Sequence, residues 1–344
     1  MKRKIKILFR SMKKRKQLKA VLGADIYLLQ RAIEKALIEK LNIQSDIKSC
    51  YQDLGGLNNL GMFIHKLEGQ DKPIAISKLQ NSVAAEREYR FQNWQENYVD
   101  NRLAPRPFLL APFKDKSYSW LTGEVLSPVE KLSEMEVKSI FDKLNVSYEQ
   151  LKELSLDACV ESLIYELDDN SKIKSILFNL VSQLEIEKSE RFVKKFLKER
   201  ELLLRNSNNL YERLDNLFSM YFSHMSKEDI SFMYGLVHGD FKKENIMVAE
   251  EGSFKVVDLQ YFTYGIRIWD LAFYYSKECR GFTELYPQLL QSFSWTKVER
   301  ATFIAFYLVA SSLHIKKKNI QKIAYLKLEP AIKCLSECLG SERS

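Results

Sequence analysis

Between Val237 and Val248 the chain reads Val-His-Gly-Asp-Phe-Lys-Lys-Glu-Asn-Ile-Met-Val, and past a Glu250-Glu251-Gly252 turn it continues through Val-Val-Asp-Leu-Gln to Gln260. Two carboxylates, Asp240 and Asp258, and one side-chain amide, Asn245, thus fall in two loops bracketing a pair of short strand-like runs, Asn245–Ala249 and Phe254–Leu259. An amide oxygen and two carboxylates suit Mg²⁺, a hard cation that takes oxygen ligands, keeps several waters and is shared with substrate phosphates. A carboxylate beside an acceptor hydroxyl orients it and takes its proton. Any one of these residues next to a turn more commonly hydrogen-bonds its own backbone. The combination, in this order and spacing, is what points to chemistry.

These side chains need elements to hold them. Apolar positions Ile26, Leu29, Ile33, Leu37 and Leu41 recur at helical spacing within Val21–Leu41, which predicts an amphipathic helix. From Ser49 to Glu124 the texture turns β-like: Cys50–Leu54, Gly61–Leu67 and Pro73–Leu79 are separated by turn-forming residues. A helix over Val83–Tyr98 and two further strand-like runs, Phe108–Phe113 and Tyr118–Val125, follow. From Ser127 onward the pattern is mostly helical, interrupted only by the Val237–Phe262 island and resuming near Trp269.

His238-Gly239-Asp240-x4-Asn245 followed by Asp258 resembles the catalytic core of the aminoglycoside phosphotransferase and choline kinase family, small-molecule kinases of protein-kinase-like fold. Phe241-Lys242-Lys243-Glu244-Asn245 is also similar to the catalytic loop of eukaryotic protein kinases. The resemblance implies that Asp240 is the catalytic base, that Asn245 and Asp258 hold Mg²⁺, that Lys242 contacts the transferred phosphate and that His238 supports the loop. Trp269-Asp270-Leu271-Ala272 looks like the family's Trp-Asp-Leu-Ala helix start, in which Asp270 braces the catalytic loop.

In the first half, Gly55-Gly56-x-x-Asn59 resembles the phosphate-covering loop, where small residues let backbone N–H groups approach phosphate oxygens. Lys78, at the end of Ile74-Ala75-Ile76-Ser77-Lys78, occupies the place of the third-strand lysine that reaches the α and β phosphates. Glu88 in Arg87-Glu88-Tyr89 is the expected ion-pair partner of Lys78, with Glu86 as the alternative. The chain departs from the family at Gln260, where an acid is common. The fold expected on this resemblance is α+β and bilobal, protein-kinase-like, with a small antiparallel-sheet N-lobe and a mainly helical C-lobe. Its expected parts are a basic arm and amphipathic helix over 1–45, a nucleotide-binding lobe over 46–125, and a helical lobe over 126–344 with catalytic loop and substrate-shaping insertion.

Only eleven residues separate Asp258 from Asp270 and no Ala-Pro-Glu follows, which leaves too little chain for a long activation segment and disfavours a peptide substrate. Within the 126–230 stretch, Asp157, Glu161, Glu166, Asp168 and Asp169 stand with no base among them, a patch able to steer a cationic substrate, though such runs are more often a solvated helix face.

The 344 residues, 46% hydrophobic and 28% charged, have the proportions of a globular chain with a real core. The longest nearly apolar run, Ala301–Leu313, is thirteen residues, short of the ~20 that span a bilayer. Five scattered cysteines without a C-x-x-C pair favour a reducing compartment and argue against structural zinc. The net charge of +8 sits in a tail: residues 1–19 hold ten Lys or Arg, and the remainder is net −2. An arm of this kind attracts anionic surfaces, at about 1 kcal/mol per basic residue near an anionic leaflet; nucleic-acid binding is not expected, since aromatic residues are not interleaved with its charges.

The expectation is therefore a Mg²⁺-dependent kinase using ATP, or alternatively GTP, on a hydroxyl of a small molecule: an amino alcohol, an aminoglycoside, or a sugar of a glycan or glycolipid. It is expected in the cytoplasm, at the inner face of a membrane where the arm engages it. The competing expectation is a catalytically idle kinase-like module that binds nucleotide and acts through its arm. Retention of Lys78, Asp240, Asn245 and Asp258 together weighs against that module.

Overall fold

The computed structural model describes residues 26–52, 59–98, 103–113, 118–144, 172–205, 207 and 209–340. The arm over 1–19, Gly55 and Gly56, and the acidic run over 157–169 lie outside the described residues. Two compact units emerge: Met1–Pro128 with Met247–Gln260, and Val129–Ile246 with Tyr261–Ser344.

The first unit is built on five antiparallel strands in the order β1-β2-β3-β5-β4. They are β1 Ile47–Gln52, β2 Asn59–Leu67, β3 Pro73–Asn81, β4 Pro107–Phe113 and β5 Tyr118–Gly123. Alternation along β3 sets the chemistry of the sheet. Ala75, Ser77 and Leu79 are buried and point to one face, while Ile76, Lys78 and Gln80 point to the other. On the first face, Ala75 and Leu79 join Ile47, Phe63 and Trp120 in a core closed by Ile33 and Leu37 of α1, Ile26–Leu41. A hydrogen-bonded chain crosses the same sheet: His65 meets Ser49 at 2.7 Å and Ser77 at 2.7 Å, and Ser77 meets Thr122 at 2.6 Å. Burial holds His65 down at about 4, so its ring is neutral at physiological pH. Helix α2, Ser82–Tyr98, follows β3 directly. A second sheet, ordered β6-β8-β9 (Ser127–Pro128, Ile246–Val248, Phe254–Val256), contains the hairpin read from the sequence island.

The second unit is mainly helical. Among its helices are α3 Glu134–Leu144, α4 Ile186–Lys198, α5 Leu210–His224, α6 Ile268–Lys277, α7 Phe282–Ser292, α8 Lys297–Leu313 and α9 Glu329–Gly340. The apolar run that is too short to span a bilayer becomes the buried centre of this unit: every residue from Ala301 to Ser312 is buried in α8. Its start follows from Thr296-x-x-Glu299, where each side chain accepts the other's backbone N–H in a capping box. Packed on α8 is α6, buried from Ile268 to Ser276. A two-stranded antiparallel pair, β7 Tyr234–Val237 with β10 Thr263–Ile266, frames the catalytic-loop motif.

This is the α+β organisation expected from the sequence, with an antiparallel-sheet unit and a mainly helical one. Among the described residues no helix is long and apolar enough to cross a membrane. Cys334 and Cys338 are free thiols on α9, and no group of three or more potential metal-binding His, Cys, Asp or Glu occurs among the described residues.

Candidate active site

In the second unit the motif residues converge on one loop after β7. Gly239 adopts φ +86°, and a Cβ there would meet Leu177 Cδ1 and the Tyr261 carbonyl oxygen, each at 2.7 Å. Only glycine fits both the left-handed backbone and that approach. The loop is tied down from α6: Asp270 accepts the backbone N–H groups of His238 at 2.7 Å and Gly239 at 2.9 Å, and Trp269 Nε1 donates to the Gly239 carbonyl at 3.2 Å. Complete burial pushes the Asp270 carboxyl up to about 7, against the opposing pull of its two N–H bonds. His238, also fully buried, accepts the Asp240 backbone N–H at Nδ1, 3.2 Å away, which puts the proton of a neutral ring on Nε2.

These anchors present Asp240 with its two carboxylate oxygens in different states. Oδ2 receives the ammonium of Lys242 and, at 3.3 Å, the amide nitrogen of Asn245. Oδ1 is buried and has no hydrogen-bond partner among the described residues. Asn245 spends the same nitrogen on the Asp240 carbonyl at 2.9 Å, so its amide is oriented with the nitrogen toward the loop and the oxygen away from it. Asp240, Asn245 and Lys242 are therefore brought together, as the loop motif implied.

In the first unit, Lys78 lies between two acids about half the chain apart in sequence. Its ammonium is 3.1 Å from Asp258 Oδ1 and 3.6 Å from Glu88 Oε2. Burial alone lowers a lysine pKa; here Glu88 and Asp258 outweigh it and hold Lys78 above its ordinary value, so the ammonium is charged. Glu86, the alternative partner, pairs instead with Arg90 on the exposed side of α2. Asp258 has φ +65°, a left-handed conformation that is sparsely populated for a residue other than glycine and clusters at functional sites. Asn59 begins β2.

Two residues that sequence reasoning did not assign complete this half. Gln80, on the same face of β3 as Lys78, donates to Glu88 at 3.0 Å. Arg87, 1% exposed, donates from Nη1 to the Gln260 carbonyl at 2.8 Å and so fixes the segment that carries Asp258. The only signal for either was alternation along β3 for Gln80, and for Arg87 its place beside Glu88 in the helix motif.

Asn245 in the second unit and Asp258 in the first each carry an oxygen donor, the amide oxygen of one and the carboxylate of the other. Each is the hard oxygen chemistry that Mg²⁺ prefers, an ion that needs few protein ligands because it keeps water.

Several solved structures resemble the chain at low identity. A thermostable variant of aminoglycoside phosphotransferase APH(4)-Ia, in ternary complex with AMP-PNP and hygromycin B, is 11% identical, with 91% of this chain and 99% of that chain covered and a TM-score of 0.44. A GDP complex of a variant aminoglycoside 2'-phosphotransferase-IIIa is 12% identical, covering 91% and 97%, with a TM-score of 0.45. ADP-bound aminoglycoside phosphotransferase APH(2'')-Ib is 14% identical, covering 88% and 98%, with a TM-score of 0.40. No curated protein sequence matches. Residues 117–303, more than half of the chain and spanning the whole catalytic-loop motif, match the model of the phosphotransferase enzyme family, and the chain belongs to that family of ATP-dependent kinases acting on hydroxyl groups of small molecules.

Proposed function

We propose that the chain transfers the γ-phosphoryl group of ATP, or of GTP in its place, to a sugar hydroxyl of a glycan or glycolipid, with Asp240 as the base. The observation that carries this reading is the Asp240 carboxylate. One oxygen is held by Lys242 and Asn245, and the other is buried with no partner among the described residues. A buried acceptor left open is costly unless something occupies it in the working complex. An acceptor hydroxyl that reaches this oxygen supplies the partner, and the carboxylate takes its proton as the new oxygen–phosphorus bond forms and the bond to the leaving nucleoside diphosphate breaks.

The remaining roles follow from charge. Lys242, ion-paired with Asp240, is on this reading the residue that contacts the transferred phosphoryl group. Lys78, kept cationic by Glu88 and Asp258, neutralises the α and β phosphates. Gly55, Gly56 and Asn59 are the backbone positions assigned to cover them. Asn245 and Asp258 are the residues that would hold Mg²⁺, which when bound neutralises phosphate charge. Catalysis on this account is mostly positioning and charge neutralisation.

The acceptor class rests on the ten basic residues over 1–19, which suit an anionic membrane surface where glycolipids lie. Amino alcohols and aminoglycosides are the competing acceptors. ATP consumption measured against aminoglycosides, choline, ethanolamine, sugars and glycolipid fragments separates them: this reading expects turnover with sugar or glycolipid fragments and none with the amines.

A further inference from the structure

Helix α4 places Lys188, Arg191 and Lys195 at spacings of three and four residues, on one face. They line a cavity of about 370 Å³ in the helical unit, facing the amide side chains of Asn179 and Gln183, with Arg200 at the end. Among the described residues lining it, Glu199 is the one carboxylate.

The cations are largely unspent. Lys188 pairs with Glu185 at 2.6 Å on the exposed side. Arg191 uses only Nε, donating to the Glu187 carbonyl at 3.3 Å, and Lys195 has no ion-pair partner among the described residues. Asn179 and Gln183 each donate one bond at 2.8 Å to a local carbonyl, which leaves each amide a second hydrogen.

Arg200 is the most telling. It is 8% exposed, lies 3.9 Å over the Phe196 ring, and among the described residues donates to the carbonyl oxygens of Phe196 and Ser312, each at 3.4 Å. Among the described residues no carboxylate comes within ion-pair distance of it. Glu199 acts on it only at longer range; a buried cation so weakly compensated is unfavourable, and here it lines a cavity whose other charged groups are mainly cations. The stacked pair Phe192 and Phe196 supplies an apolar surface beside them. The volume is that of a small-molecule site.

We propose that this cavity binds the phosphate group of a phosphorylated small molecule, with Arg191, Lys195 and Arg200 taking the anion and the Phe192–Phe196 surface packing the organic body. The site uses none of the residues assigned to the base, the metal or the nucleotide. The helical segment that brings Ser175, Ile176 and Asn179 to its wall runs through Leu177, which lies against Gly239 of the catalytic loop, so a ligand seated here abuts the segment that shapes that loop.

The test titrates inorganic phosphate into the full chain by calorimetry at constant ionic strength set with chloride, without Mg²⁺ or nucleotide. Saturable binding is expected, and the double variant Arg191→Ala/Lys195→Ala is expected to weaken it on the order of tenfold or more, as loss of charge-assisted bonds predicts. Both positions are exposed, so melting temperature and Mg·ATP binding in the variant should match the wild type, which separates this site from the kinase reading. Glucose 6-phosphate and phosphatidic-acid vesicles, titrated in parallel, tell a soluble phosphate ester from a lipid headgroup as the source. Unaltered phosphate binding in the double variant, or no binding beyond that of chloride, overturns the proposal.

Discussion

Asp270 accepts the backbone N–H of Gly239 at 2.9 Å, across 31 residues of sequence, and that bond joins α6 to the loop carrying Asp240. Asp270→Asn would set an amide N–H₂ against one of two backbone N–H donors and cost about 1–3 kcal/mol. The size of the loss depends on pH. Because burial raises the folded-state carboxyl to about 7 from an ordinary 3.8, the folded chain holds this proton more tightly than the unfolded chain. Stability contributed by the group is therefore full below the unfolded value and declines as pH rises toward the folded one. Urea denaturation should show Asp270→Asn more destabilising at about pH 5 than at about pH 8. A destabilisation that grows with pH would contradict the burial-dominated account of Asp270.

Lys78 and Glu88 form a pair in which each masks the burial cost of the other. Lys78→Met should lower the melting temperature and weaken Mg·ATP binding by about 10- to 100-fold, the range for a lost charge-assisted bond. Glu88→Gln in the same chain should recover part of the melting temperature, since Glu88 is 4% exposed and without Lys78 keeps, among the described residues, the Gln80 amide alone. Nucleotide affinity should stay low in the double variant. Additive losses of stability in the double-mutant cycle would show that the two side chains do not act as a pair.

Asn245→Ala and Asp258→Ala should each reduce the stabilisation that Mg·ATP gives in a thermal shift assay, because each removes an oxygen assigned to the ion. ATP without Mg²⁺ should discriminate little between variant and wild type. An unchanged Mg²⁺-dependent shift in both variants would remove these residues from the metal.

How much of this was readable from the chain differs from residue to residue. Asp240, Asn245 and Asp258 announce themselves because rare side-chain chemistry recurs at fixed spacing, and the hairpin between them follows from a turn flanked by β-branched residues. The strand at Ile47–Gln52 was expected to begin at Cys50, since Lys48 and Ser49 hide an alternation in which Ile47 faces the core. The pairing of Arg87 with the Gln260 carbonyl depends on a contact across 173 residues, which no local pattern encodes. Likewise, nothing within Met247–Gln260 signals that it packs with the sheet unit. The cationic face of α4 reads in sequence as an ordinary solvated helix; it gains meaning only through the segment with Asn179 and Gln183 that shares its cavity.

Deletion of residues 1–19 removes ten positive charges. Sedimentation with anionic vesicles should show strong association of the full chain at low salt and weak association at high salt, since the attraction is screened over ~8–10 Å. Turnover on a soluble acceptor should survive the deletion, and turnover on a membrane-embedded one should fall. Equal vesicle binding by the truncated chain would remove the arm, and with it the ground for a glycolipid acceptor.

The central claim is that Asp240 takes the proton of an acceptor hydroxyl. Its most direct test is steady-state turnover of Asp240→Asn beside the wild type, on whichever acceptor in the panel raises ATP consumption, with Mg·ATP binding measured on both proteins. The account predicts a fall in kcat of ~10²–10⁴-fold, the range for general acid–base catalysis, with Mg·ATP binding nearly unchanged. Near-normal turnover by Asp240→Asn would contradict it.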